Sequence, residues 1–78
     1  MNENDDLIRR ATAAYFRSGA DQQPNRSQSD VFNLDGKVYV VLASGEIMAV
    51  YRLRNDGVLR RMRRYPKDIT KHYPGGKS

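Results

Sequence analysis

Three glycine-containing turns divide one apolar stretch of the chain, and their spacing constrains the fold more than any other feature of the sequence. The turns are Asp35-Gly36, Ser44-Gly45 and Asn55-Asp56-Gly57, and the runs between them are rich in Val, Ile and Tyr. Short glycine spacers between β-prone runs are typical of hairpins. We therefore expect an antiparallel meander of three or four strands over residues 31–64.

The segments before the meander predict a helix and a connector. Asp5 and Asp6 suit the first turn of a helix, and apolar residues follow them at helical spacing. Gly19 is a suitable stop, because the residue after a helix often adopts a left-handed backbone. These patterns predict a helix over 5–17. The polar segment 20–30 is expected to be a flexible or disordered connector.

The segments after the meander complete a single domain over residues 1–78. Pro66 suits the first position of a short helix, predicted over 66–73, and residues 74–78 are expected to form a tail. The predicted fold class is α+β, with the N-terminal helix packed on the meander. An alternative places 58–64 in a helix, but Pro66 disfavours it because residues before proline avoid the helical region.

The turns also predict which strand residues lie opposite one another. Two-residue loops at Asp35-Gly36 and Ser44-Gly45 would place Tyr39 between Phe32 and Val50, and a four-residue loop over 54–57 would pair Tyr51 with Arg60. One face is then nearly all apolar and should lie under the N-terminal helix: Val31, Val38, Val40, Leu42, Ile47, Ala49, Tyr51, Leu53, Val58 and Met62. The outer face mixes apolar, aromatic and basic residues: Phe32, Leu34, Lys37, Tyr39, Val41, Met48, Val50, Arg52, Leu59, Arg61 and Arg63.

Composition excludes several classes of function. The 78 residues contain no cysteine, which excludes disulfides and thiolate chemistry. No apolar run is long enough to span a bilayer, and the acidic start does not resemble a signal peptide. His72 has only Asp68 at helical spacing, whereas zinc sites draw three or four ligands. We expect a cytoplasmic, non-enzymatic protein without cofactor or metal and without membrane contact.

Positive charge is concentrated in the second half of the chain. Residues 1–36 carry a formal charge of −2 and residues 37–78 carry +7. The cations of the third hairpin and its exit are Arg52, Arg54, Arg60, Arg61, Arg63, Arg64 and Lys67. Guanidinium groups bind phosphates through paired donors, and an aromatic ring on a sheet can stack on a base. The predicted nucleic-acid-binding residues are those that the register places on the outer face: Lys37, Tyr39, Arg52, Arg61 and Arg63.

Other partners also fit this pattern. The basic cluster suits an acidic protein, or it can be a solvated strand edge protected by charge. The apolar members of the outer face suit a homodimer interface. The residues concerned are Val41, Met48, Val50 and Leu59. Alternatively the C-terminal segment, with Ile69 and Tyr73, folds back over this face.

The strand and turn sequences resemble those of a group of bacterial proteins. The matching runs are 36–42, 49–53 and 56–62, which read GKVYVVL, AVYRL and DGVLRRM. Over the stretch of about thirty residues that contains these runs, the chain is similar to small uncharacterised proteins encoded on proteobacterial plasmids and integrating elements. The resemblance implies a bacterial accessory protein and transfers no activity and no binding residues.

Overall fold

A computed structural model describes residues 3–71 and shows an α+β fold, as predicted. The elements in chain order are α1 (Glu3–Arg17), β1 (Asp30–Leu34), β2 (Lys37–Ser44), β3 (Glu46–Leu53), β4 (Leu59–Met62) and α2 (Lys67–Thr70). The four strands form one antiparallel sheet in the order β1-β2-β3-β4. The predicted end of the second helix, with Tyr73, and the tail over 74–78 lie outside the described residues.

Helix α1 follows from the pattern that predicted it. Glu3, Asp5 and Asp6 lie in the first turn, where carboxylates interact favourably with the positive end of the helix dipole. Leu7, Ile8 and Ala11 are buried against the sheet. The helix ends before Gly19, whose φ of 101° is the left-handed conformation that follows many helices.

The first hairpin has the predicted register. Asp35 and Gly36 both have positive φ, 57° and 75°, as a two-residue type I′ turn requires. Leu34 therefore lies opposite Lys37, and Phe32 lies opposite Tyr39.

The second hairpin contains an irregularity that the sequence did not predict. Ser44 lies opposite Glu46 with only Gly45 between them, and the register shifts at Leu42/Ala43, where two steps along β3 match one step along β2. The predicted pairing of Tyr39 with Val50 is therefore wrong, because Tyr39 lies opposite Arg52. The same shift moves Ile47 to the outer face, since an extra residue reverses the alternation of side chains.

The third hairpin has a shorter loop than predicted. The N–H of Arg54 donates to the carbonyl of Val58 at 2.8 Å, and the N–H of Gly57 donates to the carbonyl of Arg54 at 2.9 Å. Arg54 thus belongs to the ladder and the loop has three residues. Every pair shifts by one, so that Tyr51 lies opposite Arg61 instead of Arg60.

The sheet separates two apolar clusters. The cluster under α1 contains Leu7, Ile8, Ala11, Val40, Leu42, Ala49 and Tyr51, with Val31, Val38, Leu53 and Leu59 packed against it. The outer cluster contains Tyr39, Val41, Val50 and Ile69, with Phe32, Leu34, Ile47, Met62 and Tyr65 packed against it. Three residues predicted under α1 are elsewhere: Ile47 and Met62 lie in the outer cluster, and Val58 is 50% exposed. Leu59, predicted on the outer face, packs under α1.

The connector is hydrogen-bonded to the rest of the domain. The N–H of Asn25 donates to the carbonyl of Ala43 at 2.8 Å, and the hydroxyl of Ser29 accepts from the N–H of Ala43 at 3.2 Å. Arg26 forms an ion pair with Asp5 of α1. The connector therefore covers the part of β2 that extends beyond β1.

Candidate functional site

Three arginines meet on the outer face at the end of the third hairpin. Arg52 and Arg60 are directly opposite each other on β3 and β4, and Arg54 follows two residues after Arg52. Because side chains alternate along a strand, these positions share the face that carries Tyr39. With Asn55 and Asp56 they line a cleft of about 380 Å³, called here the arginine cleft.

Positive charge is in excess in the arginine cleft. Its lining holds three guanidinium groups and one carboxylate, that of Asp56, which lies 3.3 Å from a terminal nitrogen of Arg54. The other oxygen of Asp56 accepts a hydrogen bond from the N–H of Val58 at 3.2 Å. The Nε of Arg52 is buried and has no hydrogen-bond partner among residues 3–71. The cleft thus has surplus positive charge, while the unused Nε of Arg52 is buried and not accessible from solvent.

Lys37 extends this charge along the same end of the sheet. It is the first residue of β2, one position before the Val38–Leu53 pair, and it is exposed. Its register places it next to the end of β3, where Arg54 follows Leu53. Since Lys37 is two residues from Tyr39, it lies on the outer face as predicted.

Arg61 lies on the opposite face from its predicted position. Its partner on β3 is Tyr51, which belongs to the cluster under α1. The guanidinium carbon is 5.6 Å from the centre of the Tyr15 ring, within the range of a cation–π contact. Arg61 therefore does not share a face with Arg52 and Lys37, because the three-residue loop reverses the predicted parity of β4.

Arg63 lies beyond the end of β4 and is exposed. It lines a groove beside the first half of β3 together with Arg61. The structure therefore divides the predicted basic residues between two places. Lys37 and Arg52 lie at the hairpin end of the outer face, and Arg61 and Arg63 lie beside β3.

Tyr39 lies on the outer face, as predicted, but is covered. Its side chain is 6% exposed and belongs to the cluster that includes Ile69 of α2. Base stacking needs an exposed ring face, so Tyr39 has no surface for that role in this arrangement.

Part of the outer face is covered by the C-terminal segment. Ile69 is fully buried there, as are Val41 and Val50. This supports the alternative in which Ile69 folds back over the sheet, and it leaves Val41 and Val50 no surface to offer a second copy. Two other residues were expected in the dimer interface. Leu59 packs under α1, and Met48 is half-buried.

Two cleft residues, Arg54 and Arg60, were not among the predicted site residues. Both belong to the basic cluster, but the four-residue loop placed Arg60 on the face under α1. The sequence does carry a signal for the correct register. Glycine at the third position of a three-residue loop is typical of a type I turn followed by a bulge, and that loop pairs Arg52 with Arg60.

Comparison with known proteins identifies no relative of this chain. No protein-family model, no curated protein and no solved structure matches the chain. The resemblance to proteins of plasmids and integrating elements therefore stays a prediction. Within residues 3–71, no helix has the length and apolar character to cross a membrane. No cluster of three His, Cys or acidic side chains able to hold a metal occurs in that part of the chain.

Proposed function

We propose that this protein is a small non-enzymatic binding module that holds nucleic-acid phosphates in the arginine cleft. The observation that carries the proposal is the convergence of Arg52, Arg54 and Arg60 on one cleft with a single carboxylate. An anion in the cleft would lie between three guanidinium groups, each of which offers paired donors to phosphate oxygens.

The cross-strand pairing of two arginines supports this proposal. Like charges directly opposite each other on a sheet face destabilise the pair, by roughly 0.2–1 kcal/mol. A bound phosphate relieves this cost, because it screens Arg52 from Arg60 and accepts hydrogen bonds from the arginines that line the cleft. This repulsion makes the site favourable for anions.

The distribution of charge favours a polyanion over a single small anion. Lys37 lies next to the arginine cleft on the same face and provides a separate positive contact. Residues 37–78 carry a formal charge of +7. Spaced cations match the repeated phosphates of a nucleic acid, and binding of this kind releases counterions.

Binding of a labelled single-stranded oligonucleotide, measured by fluorescence anisotropy over a salt series, tests the proposal. We expect affinity to fall steeply with salt. Arg52→Ala with Arg60→Ala should weaken binding about tenfold or more and reduce the log–log salt slope by about 1. Arg52→Lys with Arg60→Lys keeps the charge but loses the paired donors, and should recover only part of the affinity.

The matched control removes the same charge from α1. Arg9 and Arg17 are exposed and lie on the helix, away from the arginine cleft. Arg9→Ala with Arg17→Ala should change binding much less than the cleft pair. If both double variants weaken binding equally, the attraction is a property of net charge and the cleft has no special role. If no oligonucleotide binds at low salt, the proposal is wrong.

A further inference from the structure

The first half of β3 has a neighbouring strand on one side only. Strand β4 pairs with β3 from Leu53–Leu59 to Val50–Met62, and it ends at Met62. The segment Glu46–Ala49 is paired with β2 but, within residues 3–71, with no strand on its other side. Such an edge presents backbone N–H and C=O groups that can pair with another extended chain, and the bulge at Met48 leaves only part of this short edge regular.

A groove runs along this edge, lined by apolar side chains and by two arginines. It has a volume of about 560 Å³, and its apolar lining includes Ile47, Met48, Met62 and Tyr65, all half-buried. The groove thus offers apolar contacts to the side chains of a chain that pairs with the backbone of β3.

The charges at the groove are almost all positive. Arg61 and Arg63 line it and are exposed, and Arg64 follows directly. Glu46 is the carboxylate of this edge, but it lies at the far end beside Gly45 and is not part of the lining. Arginines at an edge also protect it from aggregation. Protection alone does not account for the partly exposed apolar side chains that also line the groove.

We propose that this groove binds an extended acidic segment of a partner protein, which adds to the sheet as a strand beside Glu46–Ala49. Backbone hydrogen bonds to the edge supply affinity, and alternate side chains contact the apolar residues that line part of the groove. Carboxylates of the segment pair with Arg61 and Arg63, which selects an acidic sequence. A second copy of the chain is disfavoured as occupant, because each copy carries a formal charge of +5. The site is separate from the arginine cleft.

A labelled short peptide in which Glu alternates with Val is the probe, and anisotropy and amide chemical shifts are the readouts. We expect saturable binding with the largest shifts at residues 46–49 and 61–63. A peptide with Lys in place of Glu should bind about tenfold more weakly or worse. A peptide with every second amide N-methylated should lose a similar factor, because it cannot pair with the edge.

Substitutions in the protein separate the effect of the arginines that line the groove from the effect of net charge. Arg63→Gln should weaken the Glu-Val peptide several-fold, and Arg61→Gln with Arg63→Gln more. Because Arg61 also contacts Tyr15, the single Arg63 variant serves as the test that leaves this contact intact. Arg9→Gln with Arg17→Gln, the control on α1, should have little effect.

Four results would overturn the proposal. The N-methylated peptide binds as well as the parent, which would mean that only charge matters. The shifts centre on Arg52, Arg54 and Arg60, which would place the peptide in the arginine cleft. Residues 46–49 shift with protein concentration alone, which would indicate a second copy. Or no saturable binding occurs. None of these results decides whether oligonucleotides bind the arginine cleft.

Discussion

At the scale of single residues, three effects act on the pKa of the Tyr51 hydroxyl. Its side chain is 3% exposed, and burial raises the pKa of the phenol above its ordinary value because the phenolate loses hydration. Arg61, directly opposite on β4, acts in the other direction by attracting the phenolate, and Tyr15 acts in the same direction as burial. Arg61, which also lies over the Tyr15 ring, thus opposes the effect of burial on the pKa of Tyr51.

Tyr51 is expected to make folding stability depend on alkaline pH. A proton held more tightly in the folded state stabilises that state fully below the unfolded pKa, about 10 for tyrosine. This contribution is lost as pH rises through the higher folded pKa. Urea unfolding at neutral and alkaline pH should therefore show a smaller alkaline loss of stability in Tyr51→Phe than in the parent. Equal losses would mean that Tyr51 titrates alike in both states.

Arg61→Gln should raise the pKa of Tyr51 further, because the substitution removes the cation that favours the phenolate. The near-ultraviolet absorbance of phenolate measures this titration, with Arg61→Gln/Tyr51→Phe subtracted to remove the other tyrosines. Arg63→Gln is the matched control, since Arg63 is not among the groups that shift Tyr51. A pKa that stays the same or falls in Arg61→Gln would contradict the placement of Arg61 beside this ring.

At the scale of elements, the third hairpin depends on the conformation of one glycine. Gly57 has a φ of 86°, and a Cβ added there would meet no atom within 4 Å. A substitution therefore costs backbone strain and no steric clash. Gly57→Ala should lower the free energy of unfolding by about 1–2 kcal/mol, and Gly57→Asn by less, because Asn tolerates the left-handed region. Urea unfolding of both variants measures the difference, and equal, negligible losses would contradict this account of the loop.

The three hairpins show how far the sequence predicts the sheet. Asp35-Gly36 predicts a single turn type, because only residues that tolerate positive φ fit a two-residue loop, and its register is correct. The second register could not be predicted, since a bulge inserts a residue into β3 without a distinctive sequence. The order and direction of the strands depend only on where the turns fall, so they were correct although two registers were not. The sheet has four strands, where three or four were expected.

The candidate site is more sensitive to register than the fold is. A shift of one residue on β4 exchanges Arg60 and Arg61 between the two faces, and so changes which cations lie beside Arg52. Burial of Tyr39 depends on where the chain goes after β4. The sequence left two alternatives for this face, a second copy or the C-terminal segment with Ile69, and local patterns do not decide between them. Prediction therefore identified the cationic hairpin but not the arginine cleft.

At the scale of the whole molecule, a covering element packs on each side of the sheet although the chain is short. Helix α1 covers one face and Ile69 of α2 seals the other, where Val41 and Val50 are fully buried. Small domains have little stability in reserve, so each covering element is important. Helix α2 has only four residues and cannot be stable alone, which makes Ile69 its main attachment.

Ile69→Ala should accordingly lower the free energy of unfolding by about 2–5 kcal/mol, the usual range for a fully buried isoleucine. The matched control is Val58→Ala, because Val58 is 50% exposed and its truncation should cost no more than about 0.5 kcal/mol. Urea unfolding compares the two, and sedimentation shows whether the uncovered outer face then self-associates. If Ile69→Ala costs no more than Val58→Ala, α2 does not hold this face closed, and the surface over Val41 and Val50 becomes open to a partner.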